Sequence, residues 1–201
     1  MKEKELNAAE SVELIARMID NTRRHLERNA GMPFLVWGYA TVATTAAVAA
    51  ALLRTGDPRW HWLWLAIPLL GWAGMLVAQR RQGERHVRTF IDRVVSHIWT
   101  VFGIASWAVV LPAFLGTAER MPVLPVILLL MGMGTTLTGL VIRFRPLTAG
   151  GIVAIVLSPA LLVAPDLWNP LLFGAGFALM MIVPGHILNY RSNRPKDARH
   201  E

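Results

Sequence analysis

His186 is the only histidine set well within an apolar segment, where it could act as a base or a metal ligand. It follows Pro184-Gly185, and Asn189 stands three residues on, where a helix would put both on one face. A catalytic base needs an oriented partner, and a zinc-type site needs three or four donors. The other candidates are His97, near the same end of the apolar segments, and His61, near the opposite end. Two neutral imidazoles without a carboxylate or thiol make a poor metal site, and the chain has no cysteine. The expectation is therefore that His186 hydrogen-bonds a backbone carbonyl freed near Pro184, which has no N–H to donate. Thr135 and Thr138 could join His186 and Asn189 in a polar site within the apolar segments. Met131, Met133, Met180 and Met181 read as packing material, since soft-metal binding would need cysteine or clustered histidine beside them. Ser106 and Ser158 have no base on the same helical strip, and no phosphate-binding glycine loop, Gly-x-Ser-x-Gly elbow, zinc-protease signature or kinase set is present. No catalytic residue, cofactor or metal is expected.

The elements around these residues are membrane spans. Apolar residues make up 54% of the 201 and charged residues 16%, against roughly 25% charged in soluble domains. Charge is confined to the N-terminus, one central segment, the C-terminus and short loops. Six stretches, at 33–53, 60–78, 98–115, 121–142, 147–164 and 167–188, contain no Asp, Glu, Lys or Arg. Each is about the length needed to cross a hydrocarbon core of roughly 30 Å, and none alternates with a two-residue period. The expected fold is an all-α polytopic bundle of six transmembrane helices. The segments divide into a leader at 1–32, a membrane domain at 33–190 with an amphipathic insert at 79–97, and a basic tail at 191–201. The chain carries a net charge of +7, which could point to nucleic acid, but its basic residues are placed as in a membrane protein. Seventeen of the twenty Lys and Arg fall on the side of both termini and three on the other, so both termini are expected in the cytoplasm. The absence of charge from the spans argues against ion-coupled transport of charged substrates. Trp60, Trp62, Trp64 and Trp168 toward one side, with Trp37 and Trp99 toward the other, read as interfacial anchors.

Part of the chain repeats at an offset of 65: Arg23-Arg24-His25-Leu26-Glu27-Arg28 compares with Arg88-Thr89-Phe90-Ile91-Asp92-Arg93, and Val36-Trp37-Gly38-Tyr39-Ala40-Thr41 with Val101-Phe102-Gly103-Ile104-Ala105-Ser106. A weaker echo links Leu111–Leu115 with 158–162, which suggests three hairpins in one orientation. The leader reads as one helix over 7–30, capped by Asn7 with Glu10 three residues on, and ended by Gly31 and Pro33. At 100° per residue, Ile15, Met18, Ile19, Thr22 and Leu26 share an apolar face opposite Glu13, Arg17, Asp20 and Arg24. Positions 1–30 hold six basic and six acidic residues, a poor match to an anionic lipid surface, so this face is expected to pack or dock against protein. The insert repeats the design with Val87, Phe90, Ile91, Val94 and Ile98.

The leader and its continuation into Pro33-Phe34-Leu35-Val36-Trp37-Gly38-Tyr39 resemble small, uncharacterised bacterial membrane proteins with an amphipathic cytoplasmic leader and a Trp-Gly-aromatic opening to the first span. The resemblance covers about residues 10–45, implies a bacterial inner membrane, and carries no activity with it. The residues suggest a subunit that works by protein–protein contact, as a regulator or scaffold docking a partner or a second copy through the leader. The alternative is a small transporter or channel for lipid-like or neutral compounds, and third stands an intramembrane enzyme using His186.

Overall fold

The computed structural model describes residues 8–82, 90–117, 121–165 and 168–192; the side chains of residues 8–30, 58, 81–82 and 191–192 lie outside what it describes. All regular structure among the described residues is helical. The order is α1 (Ala8–Thr55), a 3-10 helix (Pro58–Leu65), α2 (Ala66–Gln82), α3 (Phe90–Phe114), α4 (Val123–Val141), α5 (Arg145–Leu157), α6 (Ala160–Val163), α7 (Asn169–Phe177), a π-helical segment (Ala178–Ile182) and α8 (Val183–Ser192). Six helical stretches are long and apolar enough to cross a membrane: Gly31–Thr55, Arg59–Arg80, Phe90–Phe114, Val123–Val141, Arg145–Val163 and Asn169–Tyr190. The chain thus has the make-up of a multi-pass membrane protein.

The leader helix does not end at Gly31. α1 runs unbroken for 48 residues with Pro33 inside it. Proline costs this helix one hydrogen bond. Packing on both sides of Pro33 offsets that loss. A Cβ placed on Gly31 would lie 3.2 Å from the Gly185 carbonyl oxygen, and Phe34 is buried in the core. Gly31 therefore serves as a contact point with α8, where the sequence suggested a helix stop. The Asn7 cap lies outside the described residues.

The sixth span is the centre of the bundle and its most buried member. It runs as α7, the π segment and α8, with α1 on one side and α4 and α5 on the other. Phe173, Phe177, Met180, Met181 and Leu188 from this span join Phe34, Leu128, Leu147 and Leu161 in the core. α2 packs on α1, and α3 packs on α4. α3 is the least buried span, and Phe102 is its only buried residue among those described. The two segments whose sequences compare at an offset of 65 consequently sit in different surroundings. A Cβ on Gly38 would meet Ile182 Cγ1 at 2.8 Å, whereas one on Gly103 meets no described residue within 4 Å. Their neighbours Phe34 and Trp99, also 65 apart, meet edge to face at 5.8 Å.

α4 and α5 form the tightest hairpin. A Schellman-type turn closes α4: the Phe144 N–H donates to the Gly139 carbonyl at 2.8 Å and the Arg143 N–H to the Leu140 carbonyl at 3.2 Å. Arg143 takes the left-handed conformation (φ 54°) that such a turn usually gives to glycine. Gly132 lies against the Gly151 carbonyl, and Gly134 against the Phe102 ring, so these glycines permit close helix contact. The neighbouring threonines do not bond between helices. Thr136 donates to the Gly132 carbonyl and Thr138 to the Gly134 carbonyl, both at 2.8 Å and within α4.

Candidate functional site

The seam between α1 and the sixth span has on its α1 side three of the six buried polar residues found among those described, Thr41, Thr44 and Thr45. It is built from small residues. Phe34, Gly38, Thr41, Thr45 and Val48 are buried and recur at alternating steps of four and three, so they form one stripe along α1. Opposite them, Gly185 receives Leu35, the Ile182 and Met181 side chains cover Gly38, and Gly174 approaches the Thr45 methyl at Cβ distances of 2.9, 2.8 and 3.2 Å respectively. Gly38 near Met181 and Ile182, with Gly174 near Thr45, places Thr41 between them, level with the π segment.

The π segment has a local cause. The Val183 N–H reaches back five residues to the Ala178 carbonyl, and the next residue, Pro184, has no N–H to continue either an α- or a π-type ladder. Gly150 of α5 fills the widened turn: its Cβ would lie 2.8 Å from the Leu179 carbonyl oxygen and 2.9 Å from Met180 Cα. Wide turns of this kind recur at functional sites.

Four buried hydroxyls in the membrane domain lack a protein partner among the described residues: Thr41, Thr44 and Thr45 on α1, and Thr135 on α4. Thr55, Thr100, Thr136 and Thr138, by contrast, bond back to the carbonyl four residues earlier. A buried hydroxyl without a partner costs about 1–3 kcal/mol; three of the four stand within one turn of α1, and Thr135 stands apart on α4, across the sixth span. Thr41, Thr44 and Thr45 were not singled out from the sequence; their i, i+3, i+4 spacing in line with Gly38 was the available signal.

His186 does not bond a carbonyl freed by Pro184. Its Nε2 is 2.7 Å from the Tyr39 hydroxyl, and the two rings meet edge to face at 5.9 Å. The pair joins helices 147 residues apart in sequence, on the outer face of the bundle, where both side chains are exposed. Asn189 is exposed a turn further along α8, while Thr135 and Thr138 are fully buried on α4. His186 and Asn189 thus occupy the outside of the bundle and the two threonines its inside. Among the described residues no three His, Asp or Glu side chains gather as metal ligands.

Two of the tryptophans read as anchors are packing residues as well. Trp64 meets the buried Phe173 edge to face at 5.6 Å, and Trp62 meets Phe114 at 5.2 Å. Ile15, Met18, Ile19, Thr22 and Leu26 fall within α1, but their side chains lie outside those described. No family model, curated protein or solved structure matches the chain.

Proposed function

We propose that this protein works through protein–protein contact, as a regulatory or scaffolding subunit of a bacterial inner membrane, with the N-terminal part of α1 as its docking element. The observation that carries this reading is the continuity of α1. Its candidate span begins at Gly31, so residues 8–30 extend the same helix by 23 residues, about 35 Å at 1.5 Å per residue. That extension carries Arg17, Asp20, Arg23, Arg24, Glu27 and Arg28, which belong in water. A partner gripping Ile15, Met18, Ile19, Thr22 and Leu26 would hold a lever whose other half packs along the sixth span. Orientation follows the distribution of Lys and Arg, which puts the lever in the cytoplasm.

The test is recovery of partners from native membranes by the full chain and by a variant with Ile15→Asp, Ile19→Asp and Leu26→Asp, at matched amounts of folded bundle. Docking predicts partners that the variant loses. Equal recovery by both would refute it. A second reading, a small carrier or channel for neutral or lipid-like compounds, draws on the partnerless hydroxyls of Thr41, Thr44, Thr45 and Thr135. Substrate-dependent flux in vesicles containing the purified protein would move the assignment there.

A further inference from the structure

The Tyr39–His186 pair is placed where a soluble protein would give it to water and a membrane protein gives it to lipid. Tyr39 is 50% exposed and His186 is exposed beside it, although both belong to helices apolar enough to span a membrane. Their mutual hydrogen bond does not exhaust them. If the tyrosine hydroxyl donates to Nε2, the imidazole keeps its Nδ1–H; if Nε2–H donates to the tyrosine oxygen, the hydroxyl keeps its own hydrogen. In either arrangement the pair retains one donor and one acceptor, and leaving a donor unpaired in hydrocarbon is costly.

The surface around the pair is divided. On the side toward the membrane interior, Leu179 and Val183 are each 47% exposed and lead along the same ridge of the sixth span to His186. On the other side, Asn189 and the 63% exposed Tyr190 follow within about one turn. The candidate span ends at Tyr190, four residues past His186, which is about 6 Å along the axis. Past that point the sequence is basic, with Arg191, Arg194, Lys196 and Arg199 and no acidic residue before Asp197. An apolar ridge that leads to a hydrogen-bonding pair near the end of the span is the order in which a phospholipid presents acyl chain and phosphodiester, and the basic sequence that follows suits the negative charge a phosphodiester carries.

We propose that Tyr39 and His186 form a binding site for the phosphodiester of an anionic glycerophospholipid, its acyl chain lying along Leu179 and Val183. A phosphodiester oxygen accepts the hydrogen that the pair retains, which satisfies the donor left over by the Tyr39–His186 bond. This inference is independent of what the leader binds.

The experiment titrates the purified, detergent-solubilised full chain with phosphatidylglycerol and follows its melting temperature by tryptophan fluorescence. Diacylglycerol with the same chains and inorganic phosphate serve as the separated halves of the ligand. The expected result is a rise in melting temperature with phosphatidylglycerol alone, half-complete at a lipid concentration about tenfold higher in Tyr39→Phe and in His186→Gln, the loss expected for one hydrogen bond to a charged group. Trp72→Phe, on the exposed face of α2, keeps the wild-type midpoint. Equal stabilisation by diacylglycerol, equal stabilisation by inorganic phosphate, or unchanged lipid midpoints in both pair variants would each overturn the proposal. The two variants sit on different helices, so a folding defect in one leaves the other to decide.

Discussion

Gly38 and Gly103 stand 65 residues apart in two segments whose sequences compare, and the structure treats them oppositely. Alanine at either gains the helix propensity that glycine lacks, about 1 kcal/mol. At Gly103 no described residue lies within 4 Å of the new Cβ, so Gly103→Ala should be stabilising by about that amount. At Gly38 the Cβ would stand 2.8 Å from Ile182 Cγ1 and 3.1 Å from Met181 Cβ, both near their backbones and unable to swing away. Overpacking of this kind costs roughly 1–3 kcal/mol, which cancels the propensity gain or exceeds it by up to about 2 kcal/mol. The propensity term is common to both sites, so the difference between the two variants isolates the packing term. Unfolding of the purified variants by a denaturing detergent, followed by tryptophan fluorescence, measures it. Gly38→Ala should be the less stable by about 1–3 kcal/mol. Equal effects would mean that α1 does not meet the sixth span as closely as described, and the packing reasoning for the seam would be refuted.

Thr41→Val removes a buried hydroxyl without a protein partner and should raise the unfolding midpoint, by up to about 1–3 kcal/mol, whereas Thr138→Val, whose hydroxyl bonds the Gly134 carbonyl, should be neutral or lower it by about 0.5–1.5 kcal/mol. A lower midpoint for Thr41→Val in the same assay would show that a bound molecule or a rearrangement satisfies that hydroxyl. Arg143→Gly relieves a left-handed residue at the end of α4, a conformation that costs about 1–2 kcal/mol outside glycine. It should hold or raise the midpoint, and Arg143→Val, with its branched Cβ, should lower it.

The six spans were legible in the sequence because each is an apolar run free of charge, and a helix in lipid has few alternatives. Their internal shape was less visible. Ser158-Pro159 breaks the fifth span into α5 and α6, and Pro184 follows a π segment, whereas Pro33 interrupts nothing. The difference lies in what packs around each proline. Gly31 and Phe34 hold α1 against α8 and the core on either side of Pro33, and tertiary contact outweighs the local stop signal. Near Pro184, Gly150 lets α5 approach the Leu179 carbonyl and supports the wide turn. His186 illustrates a second limit. Periodicity paired it with Asn189 on its own helix, but its partner is Tyr39, far away in the chain, and only the antiparallel register of α1 with α8 brings the two rings together.

The proposed function rests on α1 being a single rod from the leader into the bundle. The chain has no cysteine, so two can be introduced without background, at Arg17 in the leader and at the exposed Ala43 in the span, and spin-labelled. Their 26-residue separation corresponds to about 39 Å along a continuous helix. A narrow distance distribution near that value in lipid nanodiscs is the expected result; a broad or clearly shorter distribution would mean that the helix breaks near Pro33, and a leader joined by a hinge could not act as the lever described.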